Sequence, residues 1–159
     1  MNKKILHLIF SDNGGAAIAV MRIHDALKKN NYESRVLVAE KIHSSDDVFC
    51  NQNNLNNFFW RQKKKISRNL KFFFKSNNKN THTISFFDSN IFSQINHFKP
   101  DIVNIHWIGN EFISLKQISK IKIPIIWTLH DMWLYTGAEH YTADRRFING
   151  YDKSNRSIN

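Results

Sequence analysis

Short apolar runs alternate with amphipathic stretches along most of this chain. Four runs rich in β-branched residues, at 5–10, 35–39, 101–106 and 125–129, end in small or polar residues. Near-continuous hydrophobicity over so few positions is typical of strands that are covered on both faces of a parallel sheet. The pattern therefore predicts four buried strands.

Apolar residues recur at helical spacing in three segments between and beside these strands. The segments cover residues 16–29, 90–98 and 112–121, and Ser89 and Ser114 stand where the second and third helices would be capped. Alternating strands and helices imply right-handed crossovers between parallel strands. We therefore predict an α/β fold, a Rossmann-like open parallel sheet with helices on both faces.

The alternation is interrupted once and then ends. We expect one domain over residues 1–144, a basic amphipathic insertion at 51–80 within it, and a polar tail at 145–159. The insertion suits a helix lying on an anionic membrane surface, and a solvated helix that packs on the domain is the alternative. The cations expected at a membrane surface are Lys63, Lys64, Lys65, Arg68 and Lys71.

Composition narrows the possible functions. The chain has 23 Lys and Arg against 13 Asp and Glu, so its formal charge of +10 attracts nucleic acid, anionic lipid or phosphorylated small molecules. The only cysteine, Cys50, excludes an intramolecular disulfide and a cysteine-based zinc site.

The N-terminal apolar run is too short for a signal peptide, and no run approaches the length of a membrane span. We expect a cytoplasmic protein with peripheral contact at the inner face of the cell membrane.

The residues that follow the strands carry the candidate chemistry, because ligands of open α/β sheets bind beyond the carboxyl ends of the strands. Gly14 and Gly15 follow the first strand and open a helix, where free N–H groups can bind a phosphate. An ordinary strand–helix turn is the alternative. Two later strands each lead into a histidine and a nearby tryptophan. The histidines can hydrogen-bond a sugar hydroxyl, or they can be structural, and the tryptophan rings can pack on a sugar ring. These residues are His106, Trp107, His130 and Trp133.

Asp131 leaves several interpretations open. Its carboxylate is adjacent to His130 and can fix the histidine tautomer, contact a substrate hydroxyl or cap a helix. A metal site that adds Glu139 and His140 is a weaker hypothesis, because the spacing matches no standard ligand motif. We expect no metal, and a metal-dependent hydrolase is accordingly the third functional hypothesis.

Motifs at these strand ends occur together and in order. They are Gly14-Gly15-Ala16-Ala17, Pro100-Asp101-Ile102-Val103 leading to His106-Trp107, and Trp127-Thr128-Leu129-His130-Asp131-Met132-Trp133 with Thr136-Gly137. From about Lys4 to Tyr141 the chain resembles glycosyltransferase family 4, in particular bacterial enzymes that build O-antigen, capsule and colanic-acid polysaccharides. The resemblance implies the N-terminal, acceptor-side half of a GT-B fold, in which two Rossmann-like domains face each other across a cleft.

The resemblance also implies a reaction, which is retaining transfer of a sugar from a nucleotide-sugar to a glycan or lipid-linked glycan. It requires no metal and no cofactor besides the nucleotide-sugar donor, and no nucleic acid partner is expected. His130 and Asp131 would be catalytic, and Gly14 and Gly15 would lie near the donor diphosphate. The other expected substrate-binding residues are His106, Trp107, Trp133, Thr136 and Gly137.

The tail at 145–159 would lead to a missing C-terminal domain that binds the nucleotide-sugar. We therefore expect no transferase activity from this chain alone. The competing hypothesis, from a different class, is a basic non-catalytic module that binds an anionic membrane or nucleic acid.

Overall fold

Five parallel strands form a sheet among the residues that the computed structural model describes. These residues are 2–50, 62–67, 69, 83–136, 139–142 and 145–150. The strands are β1 (Lys4–Ser11), β2 (Glu33–Glu40), β3 (Val48–Cys50), β4 (Ile102–Ile105) and β5 (Ile125–Trp127). The helices are α1 (Gly15–Lys29), α2 (Ile91–Phe98) and α3 (Leu115–Ile118), and a 3-10 turn covers Arg146–Ile148. Residues 62–67, within the predicted insertion, are also helical.

The strand order is β3-β2-β1-β4-β5, with every neighbouring pair parallel. From β1 the chain adds strands on one side and then returns to add β4 and β5 on the other. The order therefore reverses between β1 and β4, and this is where open α/β sheets bind ligands. His7 pairs with Asn104 across this boundary.

The two faces of the sheet are buried by different helices. Ile9, Val36 and Val38 pack with Ala17 and Val20 of α1 on one face. A larger cluster covers the opposite face and includes α2, with members Leu6, Leu8, Leu37, Ile91, Ile95, Val103 and Ile105. Each fully buried aliphatic side chain of this kind contributes about 1.5–3 kcal/mol. The predicted Rossmann-like α/β fold with helices on both faces is confirmed.

Two element predictions need correction. The helix predicted over 112–121 is reduced to Leu115–Ile118, although Ser114 caps it as predicted, through a capping box with Gln117. Ser89 is not the cap of α2, because Asn90 occupies that position and the Ser89 backbone N–H donates to Gln117 Oε1 at 2.8 Å. The short strand β3 was not predicted, since it has only three residues and lies at the sheet edge.

A buried carboxylate shapes the chain beyond β4. Glu111 is 2% exposed, and its carboxylate accepts hydrogen bonds from the Ser67 hydroxyl and from the backbone N–H groups of Ser85, Phe86 and Phe87. A buried charge is tolerated when it is hydrogen-bonded in this way. Glu111 thereby fixes the segment that begins at residue 83 beside the carboxyl edge of the sheet.

Candidate active site

A pocket lies where β4 and β5 end. β4 leads directly into His106 and Trp107, and β5 leads through Thr128 and Leu129 into His130 and Asp131. The pocket is small and partly open to solvent. Its lining is rich in aromatic rings and histidines: His106, Trp107, Ile108, Gly109, Trp127, Leu129, His130, Asp131, Trp133, Leu134 and His140.

Three histidines form a hydrogen-bonded row from the sheet interior to this pocket. His7 Nδ1 lies 3.1 Å from His106 Nε2, and His106 Nδ1 lies 3.0 Å from His130 Nε2. The ring centroids are 5.3 Å apart at both steps. His7 and His106 are 0% and 1% exposed, whereas His130 is partly exposed. We call His7, His106 and His130 the histidine row.

Burial keeps the histidine row uncharged at neutral pH. Desolvation is the largest cause that lowers the pKa of His7 to about 4, with a further contribution from His24. Desolvation likewise lowers the pKa of His106 to about 3, assisted by its two histidine neighbours. The pKa of His130 is also lowered by burial, although the nearby Asp131 carboxylate acts in the opposite direction. The row therefore offers neutral imidazoles to a ligand.

Asp131 holds a second cluster together. Its Oδ2 accepts from Trp107 Nε1 at 2.7 Å and from His140 Nδ1 at 2.5 Å, and its Oδ1 accepts from the Trp133 backbone N–H at 3.0 Å. The Asp131 carboxylate can only accept, so in this bond the proton of His140 lies on Nδ1, and Nε2 then accepts from the Thr83 hydroxyl at 2.7 Å. We call Trp107, Asp131, His140 and Thr83 the Asp131 cluster.

The Asp131 cluster has the connectivity of an acid–base–nucleophile triad, but its burial excludes that role. Thr83 is 2% exposed and His140 is 3% exposed, so the hydroxyl is closed to a substrate. Among the described residues His130 has no hydrogen bond to Asp131, and its Nε2 lies 3.0 Å from His106 Nδ1 instead. The expected catalytic role of Asp131 stays a prediction.

The remaining predicted pocket residues have mainly structural contacts. Trp133 is 9% exposed and donates from Nε1 to the Thr83 carbonyl at 2.8 Å. Thr136 is 1% exposed, and its hydroxyl lies 2.8 Å from the Met132 carbonyl and 2.5 Å from the Glu139 carbonyl. Gly137 lies outside the described residues.

Gly14 and Gly15 stand at the start of α1, next to the boundary between β1 and β4. Gly14 is the N-cap of α1 with φ of 96° and ψ of 179°. Within the described residues this helix start has no side-chain cap, and its first turn carries no acidic residue. Such an uncapped N-terminus favours an anion, so the predicted contact with a diphosphate is chemically reasonable.

The Gly14→Ala substitution is expected to lower the free energy of unfolding by about 1–3 kcal/mol, because this backbone conformation is essentially closed to residues with a Cβ. At the next position Gly15 is helical with open space around it, so Gly15→Ala is expected to be neutral or to stabilise the chain by up to about 1 kcal/mol. Urea unfolding of the two variants measures the difference. Equal losses at both positions would contradict the geometry of this turn.

The predicted membrane-surface cations are in part engaged by the domain. Lys63 donates to the Asp88 carbonyl at 2.7 Å, and Lys64 lies 3.2 Å from the Glu40 carboxylate and over the Phe10 ring. Lys65 is exposed. Arg68 and Lys71 lie outside the described residues. The membrane contact stays a prediction.

Sequence reasoning missed two groups of residues at this site. His7 lies inside the apolar run at 5–10, and a polar residue at a core position of a strand is the signal that points to it. Thr83 carried no signal, because its partner His140 is 57 residues away and no periodicity links them. His140 was considered only as a metal ligand.

Within the described residues no set of three or more His, Cys, Asp or Glu side chains is arranged to hold a metal ion. Across the same part of the chain, no helix combines the length and hydrophobicity needed to cross a bilayer.

Sequence comparison gives one match. A family model described as Glycosyltransferase Family 4 matches residues 13–157. The matched range covers most of the chain and contains Gly14, Gly15 and every residue that lines the pocket. No curated protein and no solved structure matches the chain at a significant level.

Proposed function

Because the chain belongs to glycosyltransferase family 4, we propose that it is the acceptor-side part of an enzyme that transfers a sugar from a nucleotide-sugar. The glycosidic bond to the diphosphate breaks, a bond from the same anomeric carbon to an acceptor hydroxyl forms with retained configuration, and the hydroxyl proton leaves with the phosphate. The acceptor is a glycan or lipid-linked glycan of bacterial surface polysaccharide synthesis, such as O-antigen or capsule.

The observation that carries this proposal is the meeting of a neutral, partly exposed His130 with tryptophan rings in one pocket at the carboxyl edge of the sheet. Sugars present hydroxyl groups around an apolar face, so they need both hydrogen-bonding groups and flat apolar surface. Trp107 and Trp127 are half-buried and line the pocket with such surface. A neutral imidazole suits an uncharged hydroxyl.

The diphosphate of the donor would lie against the N-terminus of α1. Gly14 and Gly15 leave open space around their Cα atoms, so a ligand can approach the backbone closely. β1 and β4 are neighbours in the sheet, so a phosphate bound at this helix start and a sugar bound beside His106 would lie at neighbouring strand ends. The surplus of positive charge on the chain favours both anionic donors and the surface of an anionic membrane.

The His130→Ala substitution is expected to weaken binding of the sugar ligand to the 159-residue chain about tenfold, because one neutral hydrogen bond contributes about 0.5–1.5 kcal/mol. Titration calorimetry with UDP-glucose, GDP-mannose and free oligosaccharides measures the affinity of wild type and variant. His97→Ala, at an exposed position of α2, is the matched control and is expected to bind as wild type does. A His130→Ala chain with unchanged affinity for every ligand that wild type binds would remove His130 from the site.

A further inference from the structure

The two contacts in the histidine row cannot be arranged independently. Each neutral imidazole has one N–H donor and one nitrogen acceptor. His106 uses both of its nitrogens within the row, so if it accepts from one neighbour it must donate to the other. All the hydrogen bonds in the row therefore run in the same direction, either toward the pocket or away from it.

The direction determines what His130 offers to a ligand. If the bonds run toward the pocket, His7 and His106 carry their protons on Nδ1, His130 accepts at Nε2, and its own proton lies on Nδ1. If they run away from the pocket, His130 donates from Nε2 to His106, and its Nδ1 is a bare acceptor. The first arrangement gives the pocket a hydrogen-bond donor and the second gives it an acceptor.

The inner end of the row distinguishes the two arrangements. His7 Nε2 is buried and has no hydrogen-bond partner among the described residues. The ring of His24 lies nearby, with centroids 6.4 Å apart, but its nitrogens already contact Ser34 Oγ at 2.8 Å and Asp47 Oδ2 at 3.5 Å. With bonds running away from the pocket, His7 Nε2 would be a buried N–H group without an acceptor. Buried N–H groups without an acceptor are rare in folded proteins, and rarer than buried acceptors without a donor.

We propose that His7 and His106 are positioning residues that hold His130 as the Nδ1–H tautomer, so that a neutral N–H donor faces the pocket. His7 leaves only a lone pair unpaired at the buried end, which is the smaller loss. The ligand atom that His130 binds is then an acceptor oxygen, such as a sugar ring or hydroxyl oxygen or a diphosphate oxygen. This last step rests on the proposed function, whereas the tautomer itself does not.

The side-chain ¹⁵N chemical shifts of the wild-type chain test the proposal directly, since protonated and bare imidazole nitrogens resonate far apart. At pH 7.5 we expect His7, His106 and His130 each to carry the proton on Nδ1 and to show a single tautomer. A proton on Nε2 of His130, or a mixture of both tautomers there, overturns the proposal. The measurement needs no ligand and no substitution.

The His7→Leu variant then tests whether the row acts as a unit. Leucine cannot accept a hydrogen bond, so bonds running away from the pocket would leave His106 Nε2 as a buried N–H group without an acceptor. We therefore expect His130 to keep the Nδ1–H tautomer in His7→Leu. His7→Gln supplies an amide oxygen that can accept from His106 Nε2, so the Nε2–H tautomer of His130 is expected to appear in that variant. The matched control is His97→Gln on the exposed side of α2, which is expected to leave the His130 spectrum unchanged. Loss of the Nδ1–H tautomer in a folded His7→Leu chain, or its full retention in a folded His7→Gln chain, overturns the proposal.

The outcomes separate this inference from the proposed function. A chain that binds sugar ligands through His130 but shows the Nε2–H tautomer refutes the histidine row alone. A chain with the expected tautomers and no sugar binding refutes the proposed function alone.

Discussion

Acidification from pH 7 to pH 5 is expected to lower the free energy of unfolding by about 4 kcal/mol, because His7 and His106 stay neutral in the folded chain and become charged in the unfolded one. The folded pKa values are about 4 for His7 and about 3 for His106, against an ordinary value of 6.5. Well above pH 6.5 neither state binds a proton at these sites, so stability is insensitive to pH there.

The loss grows as pH falls through 6.5, because the unfolded state then binds protons at His7 and His106 and the folded state does not. Each of the two buried histidines contributes about 2 kcal/mol at pH 5, and this figure hardly depends on how far below 5 the folded pKa lies. His130, whose pKa is also lowered, acts in the same direction. Domains of this size are typically stable by only about 5–15 kcal/mol, so the effect is large.

Urea unfolding followed by tryptophan fluorescence at pH 7, 6 and 5 measures this dependence. The His7→Leu variant carries one titrating group fewer, so it is expected to lose about 2 kcal/mol less than wild type over the same interval. His97→Gln, exposed on α2, is expected to keep the wild-type dependence. A free energy of unfolding that is constant from pH 7 to pH 5 would show that the histidine row is not held neutral by burial.

The Asp131→Asn substitution is expected to lower the free energy of unfolding by about 3 kcal/mol. The carboxylate accepts from Trp107 Nε1 and His140 Nδ1 at the same oxygen. An amide has only one acceptor oxygen. If that oxygen takes the place of Oδ2, the Trp133 backbone N–H loses its acceptor. If it takes the place of Oδ1, the Trp107 and His140 donors lose theirs. Each buried donor left unpaired costs about 1–3 kcal/mol.

The position of Trp107 in the pocket depends on the same bonds, so Asp131→Asn is also expected to weaken sugar binding. Urea unfolding and titration of the same preparation separate the two effects. Asp46→Asn, an exposed aspartate at a loop position, is the matched control and is expected to change neither property. Full stability together with lost sugar binding in Asp131→Asn would instead identify Asp131 as a substrate contact, as the family resemblance implies.

The central strands and the first helix could be predicted because burial on both faces of the sheet produces short apolar runs in the sequence. β1 and β4 are apolar runs that each contain one polar residue, His7 or Asn104, and α1 carries an apolar stripe, so their types and approximate bounds follow from the hydrophobic pattern. The helix predicted over 112–121 was too long, because Phe112 and Ile113 are buried by tertiary packing beside Glu111 and not as part of a helical stripe. Ser89 was wrongly predicted to cap α2, because its polar groups bind Gln117 instead of the helix start.

The candidate site was only partly predictable, because contacts between residues far apart in the sequence assemble it. The placement of His106 and His130 at one edge follows from the rule that parallel strands end together. The hydrogen bonds that give these residues their chemistry join His7 to His106 across 99 residues of sequence. Contacts of that range depend on strand order and register, which no local pattern encodes. Strand order brings His7 next to His106 and so connects it to the pocket. The hydropathy pattern gives no sign of this connection.

The central claim is that this family 4 chain binds a sugar ligand in the pocket at the ends of β4 and β5. Its most direct test is a map of NMR shift changes in the imidazole and indole side chains during titration with nucleotide-sugars and glycans. We expect changes concentrated at His130, Trp107 and Trp127, with backbone changes at Gly14 and Gly15 for ligands that carry a diphosphate. Changes confined to the lysines at 63–65 and abolished by salt would contradict the account and identify the chain as a basic binding module.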